Sequence, residues 1–69
     1  MTNPEIDEEG TKKWYNSKRQ WHREDGPAWE WADGAKNWFI NGKLHREDGP
    51  AVEEPDGTKL WFINGKKVE

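Results

Sequence analysis

A seven-residue string, His22-Arg23-Glu24-Asp25-Gly26-Pro27-Ala28, returns unchanged twenty-three residues later as His45-Arg46-Glu47-Asp48-Gly49-Pro50-Ala51. Around it, Asp33-Gly34 becomes Asp56-Gly57, and Trp38-Phe39-Ile40-Asn41-Gly42-Lys43 becomes Trp61-Phe62-Ile63-Asn64-Gly65-Lys66. Earlier still, Glu9-Gly10-Thr11-Lys12-Lys13-Trp14 matches Asp56-Gly57-Thr58-Lys59-Leu60-Trp61, so the chain enters the pattern inside the turn of a truncated leading unit. A fixed period of this size restricts the chain to repeat architectures, in which each unit buries its apolar face against its neighbours. It also changes how the most reactive-looking residues are read. A side chain present in every unit is there because every unit needs it for its shape.

Each unit reads as strands joined by tight turns. Asn41-Gly42 and Asn64-Gly65 sit between aromatic or β-branched runs and short polar ones. That is the strongest short hairpin signal, because a type I′ turn needs φ > 0 at both central residues. Pro55-Asp56-Gly57-Thr58 has its Pro and Gly where a turn favours them. No stretch keeps a helical period over three turns. The expected fold is all-β, an antiparallel meander of repeated hairpins covering about two and a half units, with seven or eight short strands in a single sheet, open or curled. In Lys59-Leu60-Trp61-Phe62-Ile63 alternation leaves both faces apolar, so one face needs a covering partner or a curled sheet.

Unit one, residues 14–37, departs from unit two, residues 38–60. Its first hairpin has one more residue between Trp14 and His22 than unit two has between Trp38 and His45, and its turn is the basic Ser17-Lys18-Arg19 in place of Asn-Gly. It also places Trp29 and Trp31 where unit two has Val52 and Glu54. Trp14, Trp38 and Trp61 are equivalent and expected in the core. Trp21, Trp29 and Trp31 belong to unit one alone.

Leu, Ile, Val and Phe number nine among 69 residues, but six Trp argue against disorder. So thin a core predicts marginal stability or help from self-association. With no cysteine there is no disulfide, thiolate nucleophile or sulfur-ligated zinc site, which fits a cytoplasmic chain. No run is apolar enough for a signal peptide or a membrane span. The net charge of −3 hides an asymmetry. Residues 1–9 carry Glu5, Asp7, Glu8 and Glu9 with no Lys or Arg, while every charge from Gly10 to Arg23 is positive. The expected division is an acidic flexible tail over 1–9, in which Pro4 and the carboxylates discourage a strand, and a hairpin-repeat domain over 10–69.

The His-Arg-Glu-Asp blocks invite an acid–base or metal reading. In a meander, however, His22 and His45 lie three strands apart, roughly 14 Å at about 4.8 Å per strand, too far to share a zinc ion. The structural reading is that Asp25 and Asp48 accept backbone N–H bonds in a tight turn, while His and Arg cover strand ends and pair with Glu. No Ser-His-Asp or Cys-His set and no phosphate-cradling glycine loop is present. No enzyme activity, catalytic residue, metal site or cofactor is therefore expected. The expected contact residues are Trp21, Trp29 and Trp31 as apolar anchors, with Lys18 and Arg19 as charge contacts.

The run from Trp38 to Ala51 resembles the MORN-variant repeats of many bacteriophage and bacterial proteins, and the resemblance spans about residues 10–69. It implies an extended antiparallel sheet of stacked hairpins and a binding role with no catalytic residue to carry over. The glycine spacing typical of MORN repeats is not kept, so the lipid binding sometimes linked to that family does not transfer. A chain with such repeats looks like a small bacteriophage protein. That implies work in the host cytoplasm, with a host protein as the partner that is bound and modulated or inhibited. Two other classes follow from the residues themselves. One is a nucleic-acid or small anionic ligand binder using the basic, aromatic first unit, its sign a steep salt dependence. The other is a structural protein that self-assembles, as a homodimer or larger, through exposed strand edges.

Overall fold

Turn chemistry sets the topology. The structure, a computed structural model, describes residues 4–68. Nine short strands follow one another: β1 (Glu5–Ile6), β2 (Lys12–Lys13), β3 (Trp29–Glu30), β4 (Lys36–Asn37), β5 (Phe39–Ile40), β6 (Lys43–Leu44), β7 (Val52–Glu53), β8 (Lys59–Ile63) and β9 (Lys66–Val68). Seven form one antiparallel sheet in the order β1-β2-β3-β4-β7-β8-β9, and β5 pairs with β6 in a separate two-stranded sheet. The all-β meander expected from the sequence is present. The large sheet is not closed into a barrel, and the two-stranded sheet stands apart from it.

Three strand pairs, β1–β2, β3–β4 and β7–β8, share one turn. Its closing bond runs from Asp7 N–H to Thr11 C=O at 3.1 Å, from Trp31 to Ala35 at 2.9 Å and from Glu54 to Thr58 at 2.9 Å. Each turn places a glycine (Gly10, Gly34 or Gly57) at positive φ, a conformation that costs glycine nothing sterically. A carboxylate then caps an N–H across the turn: Asp7 takes those of Glu9 and Thr11, Asp33 that of Ala35, and Asp56 that of Thr58. Hydrogen bonds from Thr58 pull the Asp56 carboxyl below the usual carboxylate range. The other hairpins turn at Asn41-Gly42 and Asn64-Gly65, where all four residues have positive φ, as a type I′ turn demands.

The register sorts the two faces of the large sheet. Directly opposed residues give one row of Glu5, Lys13, Trp29, Asn37, Val52 and Leu60, and another of Ile6, Lys12, Glu30, Lys36, Glu53 and Lys59. Residues directly opposite share a face. One face therefore carries Trp29, Val52 and Leu60 beside Glu5, Lys13 and Asn37, while the other alternates charge sign from Lys12 to Lys59. The buried residues are mostly small: Ala28 and Ala51 are wholly inaccessible, and Thr11, Ala35, Val52 and Trp14 join them. Ala28 and Ala51 close the repeated heptapeptide at points where the backbone bonds on both sides. Ala28, for example, donates to Asn37 and accepts from Trp14, at 2.9 and 2.8 Å.

Three expectations need correction. Residues 5–6 are not a frayed tail but a paired strand, because the Asp7 carboxylate and Gly10 build the shared turn and carry the repeat one strand further back. Asp25 and Asp48 cap no turn; each accepts from the arginine two residues earlier, at 3.1 and 3.2 Å. Trp61 is not core: it is 46% exposed, against 9% for Trp14. Among the described residues no arginine lies over its ring as Arg23 lies over Trp14 and Arg46 over Trp38, and β8 runs unbroken through Trp61. By contrast, the chain leaves the large sheet at Trp38, whose N–H bonds Ala51 C=O at 2.7 Å.

Candidate interaction surface

The repeated heptapeptide folds into a clamp. The Arg23 guanidinium lies over the Trp14 ring with its carbon 3.9 Å from the ring centroid, and Arg46 lies over Trp38 at the same distance. Arg23 also donates to Asp25, to Pro27 C=O and to Glu30; Arg46 donates to Asp48, Pro50 C=O and Glu53, all within 3.0–3.2 Å. A planar, forked cation suits this combination of stacking and several acceptors. Gly26 and Gly49 close the other side. A Cβ at Gly49 would stand 2.8 Å from the Arg46 Cζ, and one at Gly26 3.0 Å from the Arg23 Cζ. Neither has positive φ; the glycine is there for close approach.

Histidine ties one unit to the next. Its Nδ1 accepts the N–H of the next unit's turn asparagine, His22 from Asn41 and His45 from Asn64, each at 3.0 Å. The ring proton therefore belongs on Nε2, which faces Glu24 at 3.4 Å and Glu47 at 3.5 Å. Histidine, arginine and aspartate thus all have structural work in both units. Among the described residues no three His, Asp or Glu side chains converge to hold a metal ion. The groove of about 780 Å³ between the two loops is lined by Arg23, Glu24 and Asp25 of one and Arg46, Glu47 and Asp48 of the other.

The aromatic face differs between units. Trp21 and Trp29 pack edge to face with centroids 4.8 Å apart, and Trp29 and Trp31 are also 4.8 Å apart. Phe39 completes the group, 5.1 Å from Trp21 and 6.3 Å from Trp29. Such pairs prefer offset or edge-on contacts and form a stiff apolar ridge. Trp21 is 37% exposed, and Trp29 and Trp31 are half-buried. The Trp29 indole N–H is buried without an acceptor. Lys13 Nζ sits 4.7 Å from the centre of the Trp29 ring, because β2 sets Lys13 directly opposite Trp29. The counterparts of Trp21, Trp29 and Trp31 in unit two are Leu44, Val52 and Glu54.

The three tryptophans singled out from the sequence are therefore brought together. Phe39 and Lys13 belong with them although neither was singled out. The cross-strand position of Lys13 follows from the alignment of Glu9–Trp14 with Asp56–Trp61, while Phe39 recurs as Phe62 and so bears no sign of belonging to unit one's surface. The two basic residues separate. Tyr15 bridges Trp21 across the first hairpin, whose turn places Arg19 at φ 63° and uses the Asn16 side-chain Oδ1 to cap the N–H groups of Lys18 and Gln20. Arg19 is already occupied: it pairs with Glu5 at 2.7 Å and lies over Tyr15. That hydrogen bond and charge raise its pKa further. Lys18 is exposed and makes no ion pair among the described residues. Among the described residues no helix is long and apolar enough to cross a membrane.

Comparison with protein-family models, curated proteins and solved structures finds no match to this chain.

Proposed function

We propose that this chain is a non-catalytic binding protein whose Trp21–Trp29–Trp31 ridge engages another protein, with Lys18 as the free charge at its margin. The single observation behind this is the asymmetry between units. The clamp residues repeat, whereas three contiguous tryptophans occur only in unit one, on the face that unit two fills with Leu44, Val52 and Glu54. Unit two keeps the same frame with Leu44, Val52 and Glu54 in their places. Trp is the side chain most enriched at interface hot spots, where a rigid ring fills a partner's pocket and excludes water. The sequence resemblance adds a setting: a small bacteriophage protein acting on a host protein in the bacterial cytoplasm and altering or blocking it. Arg19 enters the proposal as a brace that holds the basic turn against Glu5 rather than as a contact.

Affinity capture from bacterial lysate with the tagged chain, with and without nuclease, tests this. The expected result is a stoichiometric protein whose recovery survives nuclease. Recovery that vanishes with nuclease, or falls steeply with salt, would move the function to nucleic acid.

A further inference from the structure

The repeat leaves two free edges that are successive positions of one frame. At the inner junctions, β2 is followed by β3 and β4 by β7, and the junction tryptophan is covered by an arginine that a glutamate holds: Trp14, Arg23 and Glu30, then Trp38, Arg46 and Glu53. At the third position Lys59–Leu60 pairs with β7 on one side; on the other side of β8, β9 is opposite Trp61–Ile63, and among the described residues no strand is opposite Lys59–Leu60. Trp61 is left 46% exposed. At the opposite end β1 pairs, among the described residues, only with β2. In the repeat alignment β1 is the counterpart of β3 and β7, the strands that fill this position at the inner junctions. Its Ile6 stands where they carry Glu30 and Glu53, and it is 62% exposed, the most exposed large apolar side chain described.

We propose that a second copy of this chain docks head to tail, with β1 of one copy pairing antiparallel with Lys59–Leu60 of the other. The frame fixes the register: Glu5 opposite Leu60 and Ile6 opposite Lys59. Ile6 then takes the side of the Trp61 ring that the arginine–glutamate pair takes at the inner junctions, so an apolar contact replaces a charged clamp. Charge favours the same orientation. The β1 end carries Asp7, Glu8 and Glu9, all exposed, and the β8–β9 end carries Lys59, Lys66 and Lys67, all exposed. Attraction between such ends steers encounter and disfavours like ends meeting. The contact is heterologous, so association continues beyond two copies instead of closing on a two-fold axis. It uses neither Trp21 nor Trp31 and is independent of the binding function proposed above.

Sedimentation or light scattering of the whole chain, up to roughly 1 mM, reads the association, with circular dichroism confirming that each variant is folded. Wild type should gain mass continuously with concentration, and less so at high salt. Ile6→Lys, which sets a like charge against the neighbour's Lys59, and Trp61→Lys each block one end, and each should stay monomeric alone. Mixed in equal amounts they keep one intact junction between them and should stop at the dimer. If Ile6→Lys loosens β1 against Lys12, Ile6→Asn serves in its place. A wild type that stays monomeric throughout, variants that associate as wild type does, or a mixture that forms no dimer would each overturn the proposal.

Discussion

Units one and two share one clamp and present different surfaces, and that contrast separates what the fold needs from what it displays. Arg23 on Trp14 and Arg46 on Trp38 match in every partner, within 0.2 Å for the corresponding hydrogen bonds. The opposite face carries a tryptophan ridge in one unit and Leu44, Val52 and Glu54 in the other. Matching geometry at repeated residues marks shape. Divergence at equivalent, partly exposed positions marks the surface left free to specialise. Residues that resemble a catalytic constellation, histidine beside arginine, glutamate and aspartate, fall entirely in the first class.

If the clamp is common to both units, breaking it should cost the same in each. Arg46→Ala strips a half-buried cation from a ring, two carboxylates and a carbonyl, and should lower unfolding free energy by about 2–4 kcal/mol. Arg23→Ala should match it to within about 1 kcal/mol, and Lys at either position should recover little, because an ammonium cannot stack and fork at once. Urea titration followed by tryptophan fluorescence reads this; costs that differ between units by more than that would break the equivalence. Gly49→Ala should come next, at about 1–3 kcal/mol, since its Cβ would overpack the guanidinium. Gly26→Ala, with slightly more room, should cost less.

The hairpins sharpen the contrast at a smaller scale. Asn41→Ala forces a residue with an ordinary β-carbon into the left-handed region and should cost about 1–2 kcal/mol. Smaller still is a pH effect. The Asp56 carboxyl titrates below its unfolded value, so its contribution is full above the ordinary carboxylate pKa of about 3.9 and is lost as pH falls through the depressed native value. Asp56→Asn keeps the acceptor and should flatten that part of an acid unfolding curve.

Much of the fold was legible because its signals are local. Asn-Gly specifies its turn through φ alone, and a two-residue alternation assigns faces without knowledge of the partner strand. The clamp was not legible. Arg23 reaches back nine residues to Trp14 across a loop and a hairpin, so its stacking depends on how two strands come together. Gly26 and Gly49 are explained by an arginine, not by a backbone angle. β1 was missed because Pro4 and the carboxylates argue against a strand in isolation, whereas the repeat frame supplies one. The core placement of Trp61 failed for the opposite reason. Equivalence in sequence does not supply the neighbouring arginine, and the position eight residues on from Trp61 is Glu69. Of the candidate surface, the three tryptophans could be picked out by comparing units, while the pairing of Arg19 with Glu5 could not, since Glu5 was read as part of a loose tail.

The central claim is that unit one's tryptophans bind rather than fold. The most direct test replaces them with unit two's own residues in the triple variant Trp21→Leu, Trp29→Val, Trp31→Glu. Lysate capture with this variant should lose the partner recovered by wild type, while circular dichroism still reports the folded sheet. A folded variant that recovers that partner undiminished would contradict the claim.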